Sequence, residues 1–152
     1  FRSILRLGEE DPDFPTPMVS DIDELVDDCK RTISSISLEK VGRFDDLDSG
    51  VQLTCYRIVQ EAVTNVVRHA RATRAQVAIA VERSTLSLTI ADNGKGAASL
   101  QRDGHYGVRG MVERAGAHGG EVVFGSGPEG GLEVKVRLPM QQVSKEQDEK
   151  ND

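Results

Sequence analysis

The spacing of apolar and polar positions changes along this chain, and each change predicts an element. Between 51 and 70, Cys55, Val59, Ala62, Val63, Val66 and Ala70 recur at helical spacing and make one apolar face of a long central helix. Glu61, Asn65 and Arg68, four and then three residues apart, fall on a different stripe of that helix. The period then drops to two. Val77, Ile79 and Val81 mark a strand over 75–82, and Leu86, Leu88 and Ile90, alternating with Ser87 and Thr89, mark another over 85–91. Arg83-Ser84 is short enough to join them as an antiparallel hairpin. A helix over 108–118 should stop at Gly119-Gly120. Two more strands, 121–125 and 132–138, flank the turn 126–131, with Val134, Val136 and Leu138 set against Glu133, Lys135 and Arg137.

The first fifty residues are less periodic. Residues 1–7 suit the last turns of a helix begun upstream. Residues 9–17 are acidic, hold Pro12, Pro15 and Pro17, and read as a linker. Ser20 is a good N-cap, with Asp21, Asp23 and Glu24 at the positive end of a helix reaching about Lys30. A strand over 32–38 and a polar loop over 42–50 follow. Met140 onward is charged and reads as disordered. The predicted division is therefore 1–18 upstream helix end and linker, 19–139 domain, and 140–152 tail. The predicted fold is α+β: a two-layer sandwich with a mixed, mostly antiparallel sheet and helices on one face.

With 152 residues, 38% of them hydrophobic and only 4% aromatic, the chain suffices for one domain with an aliphatic core. The net charge of −6 argues against a nucleic-acid backbone as the main partner. Cys29 and Cys55 have no metal-ligand spacing, so a reducing, cytoplasmic compartment is expected, with Cys55 a small core residue. No apolar run approaches the roughly 20 residues that span a bilayer. The chain begins at Phe1, which reads as a piece cut from a longer protein.

Three polar motifs carry the candidate chemistry. In Asp92-Asn93-Gly94-Lys95-Gly96, a carboxylate at a strand end can accept from an exocyclic amine such as that of adenine, and Gly94 and Gly96 permit close approach; an ordinary turn is the plain alternative. Asn65 offers an amide oxygen suited to Mg²⁺, and Glu61 a carboxylate suited to taking a proton or polarising water, although both also fit a solvated helix surface. Gly104, Gly107 and Gly110 lead into the helix starting at Val108, whose free N–H groups suit phosphate, with Lys95, Arg102, His105 and Arg109 nearby. The plain alternative is a flexible loop and a helix start. His69 and His118 read as structural residues at helix ends.

Taken in order, these motifs resemble the ATP-binding domain of sensor histidine kinases, within the superfamily of gyrase, heat-shock chaperone and mismatch-repair ATPases. The run from Tyr56 through Glu61-Ala62-Val63-Thr64-Asn65 to Arg68-His69-Ala70 looks like the asparagine box of the nitrate/nitrite-responsive subfamily. Gly107-Val108-Arg109-Gly110-Met111-Val112-Glu113-Arg114 looks like its second glycine box. Gly125 to Gly131 and Val136-Arg137-Leu138-Pro139 also match, so the resemblance covers about 20–139.

The resemblance implies a Bergerat-type fold, ATP and Mg²⁺ as ligands, and a set of roles. Asp92 would read the adenine amine, with Gly94 and Gly96 shaping its pocket. Asn65 would bind Mg²⁺, Glu61 would act as general base, and Arg68 would approach the phosphates. Gly107 and Gly110 would hinge a lid over 97–106, with Lys95, Val108 and Arg109 beside the nucleotide. It further implies an upstream dimerisation domain carrying the acceptor histidine, a response-regulator receiver domain as the next phosphate acceptor, a homodimeric full-length protein that can be membrane-anchored, and a monomeric isolated domain. Two departures stand out. Leu132 replaces a usual Thr, and His69, His105 and His118 are followed by Ala70, Tyr106 and Gly119 rather than an acidic residue. An anti-sigma-factor-type serine kinase or a non-catalytic ATP-sensing module are the alternatives.

Overall fold

The structure, a computed structural model, describes residues 15–96 and 108–140, without the side chains of His69 and Ala70. The elements run α1 (Ile22–Cys29), β1 (Ser35–Val41), α2 (Ser49–Asn65), β2 (Arg74–Glu82), β3 (Thr85–Asp92), α3 (Val108–Gly116), β4 (Glu121–Ser126) and β5 (Leu132–Pro139). The five strands form one sheet in the order β1-β2-β3-β5-β4. Only β1 and β2 pair in parallel, from Ser35↔Arg74 to Val41↔Ala80; the other three pairings are antiparallel. The parallel pair follows from α2, since parallel neighbours need a long crossover and α2 supplies it.

Alternation decides which sheet face is covered. Ala75, Val77 and Ile79 of β2, Leu86, Leu88 and Ile90 of β3, and Leu132, Val134, Val136 and Leu138 of β5 are buried, while most residues between them are exposed or partly so. The helices close over this face. α1 contributes Ile22, Leu25, Val26 and Cys29 at helical spacing, and α3 contributes Met111 and Ala115. The α+β sandwich with helices on one face is the predicted one.

α2 departs from the amphipathic reading. Besides the predicted apolar face, Gln52, Thr54, Gln60, Thr64 and Asn65 are buried, so the helix is enclosed on most sides. Buried polar groups need partners. Gln52 Oε1 accepts from the Val19 N–H at 3.2 Å and its Nε2 donates to the Leu47 carbonyl at 3.1 Å, tying the domain's first turn and the 42–48 loop to the helix. The Cys29 and Cys55 thiols are both pushed up to about 12, chiefly by burial, with Asp28 adding at Cys29. Both are inert core residues.

Several predicted boundaries move. Ser20 caps nothing: it lies inside a 3-10 turn, Val19–Asp21, where Asp21 Oδ2 accepts from the Met18 N–H at 2.8 Å. The strand expected at 32–38 begins at Ser35, because 31–34 turn to bury Ile33 beside α1. The central helix starts at Ser49, with Asp48 accepting from the Gly50 N–H. After Asn65 it widens into a π turn, Val66–Ala70, ended by Arg71 at φ 53°. Met140 is tied to the sheet by its N–H to the Ser84 carbonyl at 2.7 Å rather than beginning a free tail. The expectations for 1–14 and 141–152 fall outside the described residues.

The glycine stop of α3 is as expected. Gly119 sits at φ 72°, and the Gly120 N–H donates to the Ala115 carbonyl at 2.8 Å. A Cβ at Gly120 would overlap the Arg137 carbonyl oxygen and lie 2.8 Å from Leu138 Cδ2. We expect Gly120→Ala to destabilise the domain by about 1–3 kcal/mol, the range for overpacking a tight site. Gly116→Ala, where a Cβ meets open space, should be neutral or stabilising by up to ~1 kcal/mol. Urea unfolding of the two variants makes the comparison.

Candidate functional site

Asp92 is the last residue of β3 and points to the covered face, opposite Ala75 in the β2 register. It is only 4% exposed. A carboxylate removed from water needs hydrogen bonds. Its Oδ1 accepts from the Gly94 N–H at 2.7 Å and the Leu132 N–H at 3.4 Å. Burial raises the Asp92 pKa, and these two N–H groups pull it back. Among the described residues, both backbone donors go to Oδ1.

The glycines around it differ in purpose. A Cβ at Gly131 would overlap the Asp92 backbone oxygen and carboxylate, so this position must be bare. Gly96 sits at φ 84°, a conformation that favours glycine. Sequence reasoning missed Asn93. Its Oδ1 accepts from the N–H groups of Thr73 and Arg74, both at 2.9 Å, and its Nδ2 donates to Thr73 Oγ1. Asn93 thereby locks the entry to β2 against the end of β3. Arg74 also pairs with Glu129 of the β4–β5 turn at 3.0 Å. A cleft of about 240 Å³ lies here, lined by Ala75, Gln76, Ala91, Asp92, Pro128 and Glu129.

The second part of the site is on α2. Asn65, 6% exposed, is its last residue, and its amide nitrogen is buried without a hydrogen-bond partner. One helical turn earlier, Glu61 is half-buried. Burial raises its pKa, and the charges of Arg114, Arg68 and Arg57 oppose that rise. Arg68 is exposed, in the π turn that interrupts the α-helical phase of the stripe, yet near enough for Glu61 to feel its charge. The cleft at Asp92 does not take in Glu61 or Asn65. The predicted lid, 97–106, and Gly107 fall outside the described residues.

Other predicted positions are more ordinary. Lys95 is exposed beyond β3, and Val108 is half-buried at the start of α3. Arg109 is largely exposed and pairs with Glu113 at 3.1 Å. Gly110 lies within the first turn of α3, with open space where a Cβ would go, so no close contact there requires glycine. His118 is more than a charge at a helix end: its Nε2 is 2.8 Å from Thr54 Oγ1 of α2.

Residues 50–142 match the family described as histidine kinase-, DNA gyrase B- and HSP90-like ATPases. The chain belongs to this family. It is similar to the sensor histidine kinases YxjM (37% identical over 119 residues, 78% of this chain and 29% of that protein) and LiaS (34% over 131 residues, 84% and 36%), both of Bacillus subtilis. The chain thus spans about a third of the length of these relatives.

Solved structures of histidine kinases share its fold. The blue-light activated histidine kinase EL346 of Erythrobacter litoralis superposes with a TM-score of 0.67 at 20% identity, over 85% of this chain and 43% of that one. The ATP-binding domain of PrrB from Mycobacterium tuberculosis gives 0.58 at 22% identity, over 82% and 94%.

The closeness of Gly131 to Asp92 yields a direct test. Gly131→Ala should cost about 2 kcal/mol in urea unfolding, because backbone rather than a flexible side chain must move. The amide resonances of Gly94 and Leu132 should shift with it. Unchanged stability and unchanged resonances would show that the β4–β5 turn tolerates a side chain at Asp92.

Proposed function

We propose that this chain is the catalytic, ATP-binding domain of a two-component sensor histidine kinase, with 19–139 as the domain proper. The observation that carries this reading is the buried Asp92 carboxylate, hydrogen-bonded to backbone through one oxygen, within the fold of this ATPase family. The Tyr56–Ala70 and Gly107–Arg114 stretches support placement in the nitrate/nitrite-responsive subfamily.

In this reading the adenine amine donates to Asp92, and Gly94 and Gly96 leave room for the base. Lys95, Arg68, Gly107, Val108, Arg109 and Gly110 border the triphosphate. The donor set suits Mg²⁺ bound mostly by nucleotide and water: Asn65 offers one neutral amide oxygen, its nitrogen is uncommitted within the protein, and the described residues hold no cluster of three His, Cys, Asp or Glu. Asn65 would hold the ion, which when bound neutralises triphosphate charge.

The acceptor is an imidazole nitrogen of an upstream dimerisation domain. It attacks the γ-phosphorus, the bond to the β–γ bridging oxygen breaks, and ADP leaves with that electron pair. Glu61 takes the imidazole proton. The phosphoryl group then passes to an aspartate of a response-regulator receiver domain. The full-length protein is a homodimer, the isolated domain a monomer working in the cytoplasm. Among the described residues no helix is long and apolar enough to cross a membrane.

Nucleotide choice tests the binding half. ATP should bind more tightly than GTP in calorimetry, since guanine presents a carbonyl where adenine presents a donor, and Asp92→Asn should lose roughly tenfold or more in ATP affinity while remaining folded. Equal ATP and GTP affinities would sink the assignment. Asn65→Ala should remove most of the gain in ATP affinity that Mg²⁺ confers.

Transfer tests the other half. Mixed with a dimerisation domain carrying an acceptor histidine, the chain should label that domain from radiolabelled ATP and gain little label itself. Glu61→Gln should slow transfer about 10²-fold or more with ATP affinity little changed. Because burial holds Glu61 above the ordinary glutamate range, its base form is lost earlier as pH falls. The acid limb of the rate profile should therefore lie above that of an ordinary glutamate.

A further inference from the structure

Arg114 closes the second glycine stretch without a role assigned above, yet its charge acts on Glu61 of the neighbouring helix. The face of α3 that meets α2 is marked by Met111 and Ala115, both fully buried. One turn beyond Arg114, His118 is joined to Thr54 of α2 at 2.8 Å. Thr54 and Glu61 are seven residues apart, hence on one stripe of α2. Arg114 follows Met111 by three residues on α3 and precedes His118, just past the helix end, by four. Its Nε is buried and makes no hydrogen bond. A guanidinium N–H left buried and unpaired is costly.

Three cations surround Glu61: Arg57 one turn before it, Arg68 two turns after it, and Arg114 from α3. Arg57 Nη1 is engaged with Gln60 Oε1 at 3.1 Å, and Arg68 is exposed. Arg114 is the cation that tertiary packing delivers, and among the described residues neither Glu61 nor Arg114 is in an ion pair. Of the three cations, Arg114 exerts the strongest pull on the Glu61 carboxylate.

We propose that Arg114 is a positioning residue that keeps the Glu61 carboxylate oriented and ionised for its part in phosphoryl transfer. This rests on the functional reading above. It assigns α3 a task beyond covering the sheet, namely presenting a guanidinium to the helix that carries the base.

Arg114→Met removes the charge but keeps the apolar stem, and Arg114→Lys keeps the charge but loses the planar fork. Two measurements decide. The first is carbon-13 carboxyl titration of Glu61 in this chain, its resonance assigned by loss in Glu61→Gln. We expect the midpoint to rise in Arg114→Met and to return most of the way in Arg114→Lys. The second is transfer to an acceptor domain. Arg114→Met should slow it about tenfold, with ATP affinity within about twofold and the acid limb moved to higher pH. In a Glu61→Gln background the same substitution should cost nothing further.

An unmoved Glu61 midpoint, or losses that multiply in the double variant, would overturn the proposal. A parent chain that binds no ATP would instead sink the functional reading, and calorimetry on the parent separates the two failures. Thermal melting of Arg114→Met and Arg114→Lys shows whether each is folded, and the titration of whichever folds still decides.

Discussion

Burying Asp92 at the end of β3 constrains everything around it. A carboxylate withdrawn from water costs several kcal/mol unless backbone or side-chain donors replace the lost hydration. The donors here are the N–H groups of Gly94, just past β3, and Leu132, the first residue of β5. Both can reach one oxygen only if β5 lies beside β3, which puts β4 on the sheet edge although it precedes β5 in sequence. The approach is so close that position 131 admits no Cβ. The turn from Gly127 to Gly131 folds back on itself, with the Gly127 N–H on the Gly131 carbonyl at 2.6 Å, and seats over the same carboxylate. One buried charge thus links strand order, a glycine and a turn.

The central helix shows how polar groups inside the domain divide. Gln52 bridges the first turn and the loop before α2, and Thr54 meets His118. These bonds stabilise the packing of α2 against its neighbours. At the other end of the helix, Asn65 has a buried amide nitrogen with no partner. Buried polar atoms without partners are uncommon in folded domains, and a missing water or ion is one physical reason for them. The switch to a π turn directly after Asn65 fits the same picture, since such turns recur at functional sites. The structural polar residues of α2 are satisfied within the fold, and the unsatisfied one lies in the proposed nucleotide region.

Electrostatics separate the two carboxylates of the proposed site. Burial raises both pKa values, but the opposing influences differ in kind. Asp92 is drawn back by fixed backbone N–H groups, which suits a residue that holds one geometry. Glu61 is drawn back by three cationic side chains, which suits a residue whose protonation changes. The contrast accords with a recognition role for one and a proton-transfer role for the other.

Much of this was legible in the sequence because it is local. The two-residue alternation of 85–91 could bury one face only as a strand, and the spacing of Cys55, Val59, Ala62 and Val63 could do so only as a helix. Gly119-Gly120 stops α3 through backbone freedom that no other residue matches as easily. Asp92, Gly94 and Gly96 fit an ordinary turn when taken alone, and stood out through their order with the helix and second glycine motifs. What tertiary structure alone decided involves partners far apart in sequence. The parallel pairing of β1 with β2, the insertion of β5 between β3 and β4, the Asn93 lock on Thr73, the Thr54–His118 bond and the approach of Arg114 to Glu61 have no period and no short motif. Each depends on surfaces that exist only once the helices lie on the sheet, and hydrogen bonding and charge at those surfaces are set by distances that local sequence does not contain.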